Sequence, residues 1–134
     1  MSEKHPLLYE PTTAITDYII FILGITFGWY TFSIQDSQFH QLWGTSFITI
    51  AIGALLGGTI HGFGSKLSQI PRTIIWRATL IFVAATGLLL AMSTAIVFVT
   101  GKGEDALYIT AGVLLISFYN RIRTQDNFQS VVIF

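Results

Sequence analysis

Four apolar runs, divided by short polar stretches, set the pattern of this chain. They cover about 18–34 (YIIFILGITFGWYTFSI), about 42–64, about 73–100 and about 106–122. None alternates with the period of two of a membrane barrel strand, and lipid tolerates no unpaired backbone outside helices and closed barrels. The pattern therefore predicts an all-α fold, a polytopic transmembrane helical bundle of about four spans within one integral membrane domain, 1–134. The third run, with its core ATLIFVAATGLLLAMSTAIVFV, carries no charge after Arg77 and reads as a lipid-exposed wall, not a transport path. The fourth is shorter than the ~20 apolar residues that a perpendicular helix needs, and snorkelling of Arg121 and Arg123 would lengthen it. Residues 124–134 read as a polar turn and then VVIF, the start of a possible further segment of a longer bundle.

Between the runs, DSQFHQLW reads as an outer loop in which His40 has no evident partner. SKLSQIPR reads as an inner basic loop, with Pro71 just before the third helix, where proline is tolerated. Its Lys66 and Arg72, with Arg77 just beyond, are candidates to touch anionic headgroups, and topology alone explains them equally well. TGKGED, residues 100–105, lacks the full phosphate-loop spacing and reads as a turn. The leader MSEKHPLLYEPTTAITDY lacks the build of a signal peptide, so the first run is expected to stay as a span.

Composition agrees with a bilayer as solvent. The chain is 52% hydrophobic and 10% charged, whereas soluble domains carry about a quarter charged residues. It has no cysteine, which removes disulfides, thiolate metal sites and thiol catalysis. A formal net charge of zero and no basic tract with interleaved aromatics set nucleic acid aside. The expected partners are the lipid bilayer and other membrane subunits or further copies of the chain.

With four spans, Lys4, Lys66, Arg72, Arg77, Arg121 and Arg123 fall on one side and Lys102 on the other. The positive-inside bias then places the N-terminus and the C-terminal segment in the cytoplasm. Trp29, Tyr30, Trp43 and Tyr108 would mark the outer interface, and Tyr18, Trp76 and Tyr119 the inner one.

The candidate chemistry centres on GALLGGTIHGFG, residues 53–64. On a helix Gly53, Gly57 and His61 lie four apart on one face, which Gly64 extends; Gly58 and Gly62 form a second small pair beside it. Small residues let helix backbones approach when lipid removes the hydrophobic driving force, so the second span is expected at the bundle centre. His61 then sits near the inner end, at the depth of Glu10 and Asp17, and the three form a possible polar pocket. Ionisable groups in spans are functional candidates. The plain alternatives are a packed interfacial histidine and an Asp17, Thr13 or Thr16 that caps the first helix.

At these residues the chain resembles the superfamily of alkaline ceramidases and progestin/adiponectin-type receptors. Those are seven-helix membrane proteins, and the ceramidases among them are zinc-dependent lipid-amide hydrolases. EPTTAITD places Glu10, Thr13 and Asp17 where that family has a Glu-x-x-Asn-x-x-x-Asn-like run. His61 falls where its second helix carries the histidine of Ser-x-x-x-His, with Gly57 in place of the serine. The resemblance implies a zinc ligand at His61. The family's His-x-x-x-His pair has no counterpart here, since His5, His40 and His61 are the only histidines, and a catalytic zinc usually has three protein ligands.

Three functions are therefore carried forward. The first is a non-catalytic accessory or structural membrane subunit with no cofactor. The second is the N-terminal part of a zinc-dependent lipid-amide hydrolase. The third is a haem- or chlorophyll-binding subunit with His61 as axial ligand, its glycine neighbours leaving room for the macrocycle.

Overall fold

The computed structural model describes residues 8–34, 37–99 and 101–124. Four α-helices follow in order: α1 (Pro11–Ile34), α2 (Gln38–Phe63), α3 (Gln69–Ala95) and α4 (Lys102–Thr124). A single 3-10 turn, Gly64–Lys66, joins α2 to α3, and no strand occurs among the described residues. Helix α1, α2 with its 3-10 extension, and α3 are each long and apolar enough to cross a membrane, which makes this an integral membrane bundle. Helix α4 is not among them. Its 23 residues would reach across the hydrocarbon at ~1.5 Å per residue, but Glu104, Asp105, Asn120, Arg121 and Arg123 lower its apolar content.

The helix ends lie outside or inside the apolar runs, because hydropathy marks what enters lipid while hydrogen bonding marks where a helix stops. Helix α1 begins at Pro11, seven residues before the apolar run at 18, since proline at the first helical position costs no amide bond. Asp17, Thr13 and Thr16 therefore lie within α1 and are not caps; Thr16 Oγ1 instead donates to the Thr12 carbonyl at 2.8 Å. Helix α3 starts at Gln69, so Pro71 sits in its first turn instead of before it, and it stops at Ala95 instead of running to 100. The turn expected at 100–105 is mostly helix: α4 starts at Lys102 after Gly101, whose φ of 64° is the left-handed conformation glycine adopts without strain. Glu104 and Asp105 then occupy the first turn of α4, where the helix dipole favours negative charge. The further segment expected over 124–134 lies, past Thr124, outside the described residues, as do Lys4 and His5.

His40 belongs to the first turn of α2, not to a loop, and it has a partner. Ser37 caps that helix in extended conformation, its Oγ accepting from the His40 amide at 3.4 Å and meeting the ring Nδ1 at 2.6 Å.

Helix α2 is the centre of the bundle. Helices α1 and α3 pack on its two sides, and α4 packs mainly on α3, touching α2 through Gln38. Among the described residues the core is made mostly of small side chains, with Leu42, Ile60 and Ile122 the large buried ones and Ser46 and Ser93 the largest that are completely enclosed. In lipid this is the expected currency of helix association, because backbone proximity and dispersion replace hydrophobic exclusion.

The α1/α2 seam is drawn by glycines on both helices. A Cβ at Gly24 would meet Ala51 Cβ and the Phe47 carbonyl oxygen, each at 2.9 Å, and one at Gly44 would strike the Phe32 ring at 2.8 Å. Phe27 of α1 closes onto Phe47 at a centroid distance of 5.8 Å, and Phe47 continues a ladder through Trp43 to Phe39 along α2.

The α2/α3 seam is drawn by hydroxyls. Thr79, Thr86 and Ser93 are the buried residues of α3, and their spacing of seven keeps them on one helical stripe. Thr86 Oγ1 lies 3.0 Å from Thr49 Oγ1 of α2, either one able to donate across, and each also has a carbonyl of its own helix in reach, Phe82 at 2.8 Å for Thr86 and Ser46 at 2.9 Å for Thr49. Helix α3 buries Thr79, Thr86 and Ser93 alone and leaves the rest of its surface open or half-open, so the lipid-facing side expected of the third span is joined by one narrow hydroxyl stripe against α2. Because each hydroxyl keeps a carbonyl acceptor in its own helix, Thr86→Val is expected to cost only about 0.6 kcal/mol. Denaturant titration in mixed micelles checks this, and adding Thr49→Val should cost little more.

Candidate functional site

The polar site lies where the chain entering α1 meets the last turn of α2. A helix end leaves its final carbonyls without partners inside the helix. Here the Tyr9 amide donates to the Gly62 carbonyl at 3.0 Å and the Glu10 amide to the His61 carbonyl at 2.9 Å. The Glu10 side chain then reaches the same residue from the other direction, its Oε2 lying 2.7 Å from His61 Nδ1. Glu10 thus grips His61 twice, through backbone and side chain. The pair is half in solvent, His61 28% and Glu10 46% exposed, so its electrostatic value is damped relative to a buried ion pair.

Asp17 comes from the second turn of α1 and lies within electrostatic reach of His61. A Cβ at Gly57 would stand 3.2 Å from Asp17 Oδ2, and one at Gly58 would stand 3.1 Å from Asp17 Cβ. The missing side chains of these two glycines admit Asp17 against α2. The structure therefore brings Glu10 and His61 into contact, sets Asp17 beside Gly57 and Gly58, and leaves Thr13 exposed on α1.

The glycines of 53–64 serve different neighbours. Gly53 faces Phe82 and Val83 of α3, Gly57 is shared between Asp17 of α1 and Thr79 of α3, and Gly58 and Gly62 face Ala14 of α1. Gly62 also receives Leu8 at 3.2 Å from its added Cβ, and Gly64 lies near Ile60 and Arg72. Among the described residues no three His, Asp or Glu side chains gather so as to hold a metal ion, so Glu10, Asp17 and His61 do not by themselves make a zinc centre.

Two features of the helix seams are legible in the chain once their spacing is considered. Gly24 and Gly28 repeat the small-x-x-x-small spacing inside the first run and form the α1 side of the seam. The heptad Thr79, Thr86, Ser93 marks the inward stripe of α3 within a run that looks uniformly apolar.

Residues 12–134 match the model of a family described as Family of unknown function (DUF6962), and the chain belongs to that family. No curated protein and no solved structure matches it.

Proposed function

We propose that this family member is a non-catalytic integral membrane subunit, built to pack within a larger membrane assembly or with further copies of itself. The observation that supports this reading is the use made of His61: its ring nitrogen and its carbonyl are both engaged by Glu10, so the ionisable group of the glycine-rich stretch serves to hold α1 on α2. Outward, α1 and α4 present large apolar side chains such as Ile22, Trp29, Ile109 and Ile116, which need lipid or a protein neighbour around them. With α4 counted as a fourth crossing, the positive-inside bias assigns both chain ends to the cytoplasm. Gentle extraction followed by size analysis is expected to recover the chain in a complex larger than one protomer. A lone, monodisperse protomer across several mild detergents would overturn this reading.

A second reading is favoured by one detail of the same contact. A carboxylate on Nδ1 fixes the imidazole and leaves Nε2 on the opposite edge, the arrangement in which metal-binding histidines are commonly oriented. On that reading the chain is part of a zinc-dependent membrane lipid-amide hydrolase of the ceramidase type, whose further ligands come from outside the described residues. Metal analysis of the full-length protein separates the two. The hydrolase reading expects stoichiometric zinc that His61→Ala removes; no zinc, or zinc indifferent to that substitution, ends it.

A further inference from the structure

A second feature lies at the opposite end of the bundle from His61. Between α3 and α4 runs a cavity of about 290 Å³. Leu88, Leu89 and Met92 line it from α3, and Tyr108, Gly112 and Leu115 from α4. The lining runs from Ala85 to Met92 on α3 and from Tyr108 to Leu115 on α4, seven positions on each, so the groove follows both axes for roughly 10 Å at ~1.5 Å per residue. Its walls are apolar apart from the Tyr108 hydroxyl. A Cβ placed on Gly112 meets nothing within 4 Å, so the groove is open space and not a tight seam like that between α1 and α2.

The mouth is polar and charged. Gln38 Nε2, at the start of α2, donates to Glu104 Oε1 at 2.7 Å and also to the Tyr108 hydroxyl. The first turn of α4 carries Lys102, Glu104 and Asp105. An apolar slot some 10 Å long, open along its side in a membrane-embedded bundle and topped by adjacent cationic and anionic groups, is complementary to one kind of molecule.

We propose that this groove holds an acyl chain of a zwitterionic phospholipid whose headgroup ends in a primary amine. Its phosphate lies toward Lys102 and its ammonium toward Glu104 and Asp105. A primary ammonium donates hydrogen bonds to a carboxylate, which a quaternary one cannot do. An anionic headgroup without an amine would meet two carboxylates for one lysine. The occupant is thus a phosphatidylethanolamine-type lipid, held at the end assigned to the outer surface.

Native mass spectrometry of the full chain, delipidated and then offered phosphatidylethanolamine, phosphatidylcholine or phosphatidylglycerol, tests this. The wild type is expected to retain one ethanolamine lipid per chain. Gly112→Leu fills the open slot and is expected to abolish retention, and Gly112→Ala, with one methyl, to reduce it less. The alanine variant carries the test if the leucine variant does not fold. Glu104→Gln is expected to lower the preference for ethanolamine over choline lipid about two- to fivefold, the range of one exposed charge contact. Equal retention by the wild type and the Gly112 variants overturns the proposal. An unchanged headgroup preference in Glu104→Gln overturns it too. So does a Gly112 variant that turns a dimer into a monomer, because the groove would then seat a second copy of the chain.

Discussion

Gly24→Leu is expected to be among the most damaging single substitutions in the described bundle, costing about 2–3 kcal/mol, the upper part of the range for overpacking. The site is limited by backbone as well as by side chain. Even a Cβ there would stand 2.9 Å from the Phe47 carbonyl oxygen and 2.9 Å from Ala51 Cβ. Neither is the far end of a flexible group, so the contact is relieved only by moving α1 away from α2. That separation would loosen Gly28 against Ile48 and Phe27 against Phe47 along the same seam. Unfolding titration in mixed micelles reads the cost directly. Gly87→Ala is the matched control: its Cβ meets nothing within 4 Å, and alanine in place of a helical glycine is expected to stabilise by about 0.5–1 kcal/mol. If Gly24→Leu proved as harmless as Gly87→Ala, the glycine seam would not be what brings α1 onto α2.

Removing either side of the Glu10–His61 grip is expected to cost about 1 kcal/mol, a value set between a charged hydrogen bond and an exposed ion pair because both groups are partly in solvent. Glu10→Ala and His61→Ala remove the same 2.7 Å contact, so the double variant should cost hardly more than either single one. This non-additivity is the signature of two residues acting through each other. The backbone bonds from Tyr9 and Glu10 to α2 survive both substitutions. The segment at 8–10 should therefore stay attached, with only a modest rise in its susceptibility to limited proteolysis. Costs that simply add would show that the contact does not hold the helices in the membrane. The same two variants bear on function, since only the hydrolase reading expects His61→Ala to change metal content.

The chemistry that could be anticipated was the chemistry of rarity. A chain with three histidines directs attention to His61 because it is the only one inside a long apolar run, and Glu10 and Asp17 follow from matching depth across neighbouring spans. Nothing in the order of residues says which carboxylate takes the imidazole. Glu10 does so because α1 begins at Pro11, which holds the preceding residues against the end of α2, while Asp17 lies seven residues further along and meets Gly57 and Gly58. Likewise Gln38 is far along the chain from Glu104 and Tyr108 and shares no motif with them; only the return of α4 to the starting end of α2 brings them together.

What the sequence determined by itself is the class of this protein: apolar runs too long and too poor in charge for water dictate helices in lipid, and glycine spacing dictates which helix can be approached closely. What the tertiary structure decided is which neighbour occupies each small residue and where each polar group finds its partner. Periodicity along one helix defines a face, but a face has no address until another helix packs on it. The glycines of 53–64 consequently serve two helices, Gly53 facing α3, Gly58 and Gly62 facing α1 and Gly57 both, and α3, uniformly apolar to the eye, turns a stripe of hydroxyls toward α2 because an inward-facing Thr86 can be met by Thr49.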